Sequence, residues 1–238
     1  MKSIKVLAAL TVAFLIIGCA RYKTNIDVQQ GKKLSSALSR IVCIAEVRKD
    51  KDDEWIEKRT RGGVSFSIGN GLQIGLTHAT DLPEKYIQMS RFGPYGVKRE
   101  VRNKKYFIDD IEIILLTQKG DVSIFKKPYE SDVIFKLGVD PGMGTNLFVI
   151  GDTMLKGNNW KTGIVSMLKS PLIRSMDLSN SFVHTVPTNG GDSGSPILAE
   201  KHDGSYEVVG ILNASFTRSQ SYNTGVYISF VKELLDTL

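Results

Sequence analysis

Cysteine is nearly absent from this 238-residue chain, with Cys19 and Cys43 the only two. A framework of several disulfides is therefore excluded, and stability must come from a buried core, which a chain of this length can supply. Histidine is almost as scarce, at three residues. Proline stops at 7 residues while glycine reaches 22, spread widely, a texture of many turns and short strands. The apolar run from Val6 to Ile17 falls short of the ~20 residues a membrane-spanning helix needs. Charge of one sign is not concentrated: the net +6 is mild and its basic residues are scattered. No basic stripe is interleaved with aromatics, so nucleic acid is not an expected partner. Hydrophobic content of 42% and charged content of 24% are ordinary for a globular protein and speak against disorder, collagen or a coiled coil.

The N-terminus is separate from the fold. Lys2 and Lys5 precede the apolar run, which reads as a secretory signal. The run ends in Ile16-Ile17-Gly18-Cys19-Ala20, which resembles the bacterial lipobox. That resemblance implies cleavage before Cys19 and a lipid on its thiol, hence a bacterial cell-envelope protein held by a lipid anchor. With Ala20 rather than Asp after the cysteine, it implies the outer membrane in a Gram-negative cell. The plainer alternative is an ordinary signal peptide with a chance cysteine at its edge. Residues 19–38 are polar, including Gln29, Gln30, Lys32 and Lys33, and read as a flexible tether. A lipidated Cys19 leaves Cys43 without a disulfide partner, and Ile41-Val42-Cys43-Ile44-Ala45 reads as a strand carrying a buried thiol.

From residue 40 onward strand signals dominate. Arg40–Val47, Gly63–Phe66, Leu72–Thr77, Tyr86–Met89, Gly96–Val101, Tyr106–Leu116 and Val122–Phe125 are expected strands, with Asn70-Gly71 a tight turn and Asp50–Arg61 a charged, exposed loop. Leu147–Ile150, Gly163–Leu168, Phe182–Val186, Pro196–Ala199, Glu207–Leu212 and Gly225–Ile228 repeat the texture. Only Phe230–Leu238 has helical spacing. The expected organisation is a signal over 1–18, a tether over 19–38, one β domain over 39–130 and a second over 131–238 with a terminal helix.

The sharpest chemical signal is Thr188-Asn189-Gly190-Gly191-Asp192-Ser193-Gly194-Ser195-Pro196. A serine hydroxyl is a weak nucleophile until a base takes its proton. An oxyanion formed by its attack needs preorganised N–H donors, and glycines around Ser193 let the chain turn sharply enough to aim them. The stretch resembles the nucleophile loop of chymotrypsin-like serine proteases, with a texture closest to bacterial glutamyl-endopeptidase and HtrA-like protease domains without a PDZ module. The resemblance implies an all-β fold of two Greek-key β-barrels with a C-terminal helix, and a serine endopeptidase acting on protein or peptide substrates. It implies Ser193 as nucleophile, an oxyanion hole from the N–H groups of Gly191 and Ser193, and no metal or cofactor.

The family's order of His, Asp, Ser points to His78 and Asp121. His78 ends the apolar stretch Gly71–Thr77, which is similar to the family's strand ending in Leu-Thr, although the family places two residues between that Thr and the His and this chain has none. Gly120-Asp121-Val122-Ser123-Ile124-Phe125 resembles the family's Asp followed by alternating apolar and small residues. Asp109 and Asp110 are rivals at a shorter spacing. His184 and His202 lie in the second half and are not expected to act as the base. By resemblance, Pro187, Thr188, Leu212, Asn213, Ala214, Ser215 and Gly225 line the pocket for the residue before the scissile bond. Pro187 stands where trypsin-type enzymes have Asp, which argues against Lys/Arg preference. Thr188 matches the glutamyl endopeptidases, but Leu212 replaces their His. The Asp before the nucleophile pairs with a freed N-terminal amine in trypsin-like enzymes, and Arg40-Ile41-Val42 resembles such an activation cut, yet the same residues read as the first strand. The departure before His78 also admits a second reading, a catalytically silent lipoprotein binding peptides or partner proteins in a protease-like cleft.

Overall fold

The computed structural model describes residues 28–49, 53–89, 96–151, 159–169, 179–216 and 219–238. The expectations for residues 1–18 and Cys19 lie outside these. Alternation drives the first strand, β1 (Leu38–Arg48): Ile41, Cys43, Ala45 and Val47 point inward while their neighbours are half-exposed. A short helix, α1 (Val28–Ser35), precedes it. β2 (Ile56–Gly69) pairs antiparallel with β1, and Asn70-Gly71 turns the chain into β3 (Leu72–Leu76). Both turn residues have positive φ, 53° and 65°, the primed geometry that suits a two-residue hairpin.

After one helical turn, α2 (Thr77–Thr80), come β4 (Lys85–Met89), β5 (Gly96–Ile108), β6 (Ile111–Lys119) and β7 (Val122–Lys126). The order β1-β2-β3-β7-β6-β5 closes through β1–β5 pairing, with β4 added along β5. The interior holds Ile41, Cys43, Val101, Tyr106, Ile108 and Phe125. Burial pushes the Cys43 thiol up to about 11, so it is a protonated core residue at neutral pH.

The second barrel runs β8 (Asn146–Gly151), β9 (Asn159–Met167), β10 (Ser181–His184), β11 (Pro196–Glu200), β12 (Tyr206–Phe216) and β13 (Ser219–Tyr227). Its closed order, β10-β13-β12-β11-β8-β9, is the same as that of the first barrel when the strands of each are counted in sequence. Leu147, Val149, Phe182, Ile197 and Val209 fill it. The terminal helix α3 (Ile228–Leu235) buries Ile228, Phe230, Val231 and Leu234.

Three expectations are corrected. The expected strand Tyr106–Leu116 is broken by the Asp109-Asp110 turn, with φ of 49° and 64°, into the end of β5 and the start of β6. Residues 56–61 are the first half of β2 rather than loop. The guanidinium groups of Arg48 and Arg102 stack on Trp55, 4.5 and 4.1 Å from its ring centroid, which ties the start of β2 to β1 and β5 and favours strand geometry in the charged extension. Residues 102–105 do not interrupt β5, because Arg102 pairs across the sheet with Glu46 at 2.6 Å and Lys105 with Glu112 at 3.3 Å.

Candidate active site

His78 sits on α2, immediately after β3. The Thr77 N–H donates to the Asp121 carbonyl at 2.9 Å, and the Thr77 and Ser123 hydroxyls meet at 2.8 Å. The turn that carries His78 is therefore stitched to the start of β7. The Asp121 carboxylate takes both of His78's nearby donors: the backbone N–H at 2.9 Å on Oδ1 and the ring Nδ1 at 2.6 Å on Oδ2. An ionised carboxylate only accepts, so the proton sits on Nδ1 and Nε2 is left as the basic nitrogen. The family's two intervening residues are missing, and α2 supplies the turn in their place. Its exit is fixed by Asp81, which accepts from Lys104 Nζ at 3.0 Å on each oxygen and from the Tyr106 hydroxyl at 2.7 Å. The rivals Asp109 and Asp110 form the β5–β6 turn, with φ of 49° and 64°.

The loop of Ser193, the expected nucleophile, lies between β10 and β11. Within it Asp192 N–H donates to the Asn189 carbonyl, Gly194 N–H to Leu212 and Ser195 N–H to Asp192, at 3.1, 2.9 and 3.0 Å. Among the described residues, the N–H groups of Gly191 and Ser193 donate to no protein acceptor. The Gly190 N–H is likewise without a protein acceptor among the described residues, so this glycine-rich stretch presents several open donors of the kind an arriving anion needs. Ser193 Oγ donates to the Asn213 carbonyl at a long 3.4 Å, a weak bond that a rotation about χ1 releases.

β2 joins the two barrels here. Val64 N–H donates to the Ser193 carbonyl at 3.0 Å. Gly194 has φ of +92°, and a Cβ on it would lie 1.9 Å from the Val64 carbonyl oxygen, so no other residue fits after the serine. A Cβ on Gly63 would lie 2.5 Å from both Ala79 Cβ and the Ser193 carbonyl oxygen, which brings the residue beside His78 and Ser193 to one point.

Around the expected specificity pocket, Thr188 Oγ1 donates to Asn223 Oδ1 at 2.8 Å, and Asn223 Nδ2 donates to the Val186 carbonyl at 2.7 Å. Pro187 is exposed, Asn213 is 6% exposed, and Leu212, at 2%, packs in the core of the second barrel. The Ala214 and Ser215 backbones pair with Thr224 and Asn223 on β13, and Gly225 lies against Ile197 and Phe182. His184 is buried on β10 and His202 exposed in the β11–β12 turn. Sequence reasoning missed Thr77, Ser123 and Asn223. A small polar residue at an inward position of an apolar strand, as at Ser123, is the signal that marks such a partner.

No protein-family model matches the chain, and no curated protein matches it. Solved structures do. The fold is that of chymotrypsin-like serine proteases. The HtrA-type protease AlgW with a decapeptide superposes with a TM-score of 0.62 at 14% identity, over 87% of this chain and 65% of that one. The same protease with a tripeptide gives 0.62 at 14% over 88% and 62%. The Rv3671c protease of M. tuberculosis in an inactive form gives 0.55 at 14% over 87% and 90%. The chain thus spans under two thirds of the length of the HtrA-type structures.

Proposed function

We propose that this protein is a serine endopeptidase in which Ser193, His78 and Asp121 act as a triad. The observation that carries the reading is the double hold of the Asp121 carboxylate on His78, across Gly63 from a loop with two open N–H donors. A peptide carbonyl carbon is attacked by Ser193 Oγ while His78 Nε2 takes the hydroxyl proton. Asp121 stabilises the imidazolium, and the Gly191 and Ser193 N–H groups bind the oxyanion. The C–N bond breaks as His78 returns the proton to the leaving amine. Water, deprotonated by His78, then cleaves the acyl ester and frees Ser193. The AlgW structures hold a decapeptide and a tripeptide, which supports peptides as the substrate class. Cleavage of a casein-type substrate by the purified protein, lost in Ser193→Ala and in His78→Ala with the fold retained by circular dichroism, tests this. Undiminished cleavage by Ser193→Ala would exclude it.

We further propose that Cys19 carries a diacylglyceryl anchor that holds the domain on the envelope membrane. Two acyl chains at ~0.8 kcal/mol per buried methylene give lasting attachment where one is marginal. Cys19→Ser is expected to leave the membrane fraction or to accumulate unprocessed. A wild-type protein recovered soluble, with no lipid on Cys19 by mass spectrometry, would make residues 1–18 an ordinary export signal.

A further inference from the structure

The carboxylate of Asp192, next to the nucleophile, is completely buried, and a buried carboxylate requires a cation or several donors. The cation is Lys161. Its Nζ lies within hydrogen-bond distance of Asp192 Oδ2, with the Lys161 side chain 11% exposed and the Asp192 side chain 0% exposed. The same Oδ2 accepts the Asn189 N–H at 2.7 Å. Oδ1 occupies the space above Gly151, where a Cβ would lie 2.3 Å from it. Lys161 stands on β9 opposite Val149 of β8, in the strand pair that ends with Gly151 opposite Asn159. Three separated segments thus build a socket around one carboxylate, and the segment they fix is the one whose Gly191 and Ser193 N–H groups stay open.

The alternative source of the cation is a chain terminus freed by cleavage after Arg40. Ile41 is instead 0% exposed inside β1. Its neighbour Val42 pairs with Arg61 of β2 and with Phe107 of β5. Releasing Ile41 as a terminus would remove a central strand of the first barrel.

We infer that Lys161 is a positioning residue that orders the oxyanion loop through Asp192, so that the uncut chain carries its oxyanion donors in place and no activating cleavage at Arg40–Ile41 is needed. Resting on the serine-peptidase reading, the inference adds how that site is switched on. Loss of the ammonium takes the cation beside Oδ2 from a fully buried carboxylate that still accepts the Asn189 N–H, which favours a shift of the Asp192 side chain and with it the Gly191 and Ser193 donors. Oxyanion stabilisation is then lost while the substrate strand still finds its groove, so kcat falls rather than KM rising.

The test is the rate at which a fluorophosphonate phosphonylates Ser193, forming an O–P bond with loss of fluoride, together with kcat and KM on a peptide ester. It uses protein shown by N-terminal sequencing to be uncut at Arg40–Ile41. The uncut wild type is expected to react. Lys161→Met is expected to react about a hundredfold more slowly, in line with loss of an oxyanion donor, with KM little changed. Lys161→Arg keeps the cation and should retain most of the rate. Should Lys161→Met fail to fold, the pair Lys161→Met with Asp192→Asn removes both buried charges, and it should fold and still be slow. Wild-type rates in Lys161→Met or in the double variant, or reaction only after cleavage at Arg40, would overturn the inference alone. Absence of reaction in every form of the wild type, cut or uncut, would instead overturn the peptidase reading on which it rests.

Discussion

At the scale of single residues, the proposed chemistry depends on which carboxylate reaches His78. Asp121 does so with both oxygens, at 2.9 and 2.6 Å, while Asp110 turns an exposed hairpin. Asp121→Asn replaces one acceptor oxygen with an NH₂ donor and favours the wrong imidazole tautomer. Turnover is expected to fall by ~10⁴, the loss that this substitution causes in a serine protease whose geometry stays intact. Asp110→Asn, at a φ that Asn adopts readily, should leave kcat unchanged. Steady-state kinetics of the two variants decide the matter, and a reversed result would move the third member of the triad to the hairpin. The residues that display chemistry are legible in the sequence because an Asp-Ser pair flanked by glycines in this fixed order is rare in a plain polar hairpin. Their supports are not legible. Thr77, Ser123 and Lys161 look like ordinary polar residues of strands and turns until the fold brings residues 77 and 123, or 161 and 192, together.

At the scale of elements, period-2 alternation makes most strands legible, and Asn70-Gly71 marks the β2–β3 hairpin. Two of the failures share one cause. The charged first half of β2 and residues 102–105 of β5 are strand because of cross-strand pairing and the stacking of Trp55, contacts between residues far apart in sequence. Propensity is local and does not contain them. The one-turn helix α2 is hidden for a related reason: it stands where two residues are missing from a familiar pattern, and only the Asp121 and Asp81 anchors explain why the shortened turn holds. β2 is the element that ties the site together. Gly63→Ala would put a methyl 2.5 Å from Ala79 Cβ and from the Ser193 carbonyl oxygen. Overpacking of this kind costs roughly 1–3 kcal/mol, and a shift of ~1 Å between His78 and Ser193 costs ~10²-fold in turnover. Denaturant melts and kcat measured on the same protein should show both losses. A variant with full kcat would mean that the contact of β2 with Ser193 does not set the geometry.

At the scale of the whole molecule, two barrels of identical strand order meet at a seam. The connector between them is held by the Phe135 N–H donating to the Ser67 carbonyl at 2.8 Å and by Phe135 packing edge-on against Phe66. Phe230 of α3 lies against Gly120, directly before Asp121, so the C-terminal helix of the chain braces the first barrel's contribution to the site. Global stability should carry an acid-sensitive component from His184. Burial pushes its imidazole down to about 4 from an ordinary 6.5. The unfolded chain therefore takes the proton first. This contribution is fully present above pH 6.5 and is lost as pH falls toward 4, by an amount on the order of 3 kcal/mol. Urea melts across that range should show a shallower pH slope in His184→Leu than in wild type, and equal slopes would remove His184 from the acid response. Whether Ser193 is an activated nucleophile is read from the site of covalent modification by a fluorophosphonate, located by peptide mass spectrometry. A single stoichiometric adduct on Ser193 is predicted, absent from Ser193→Ala and strongly reduced in His78→Ala. A wild-type protein that stays unmodified, or an adduct that persists in Ser193→Ala, would mean that Ser193 is not the nucleophile.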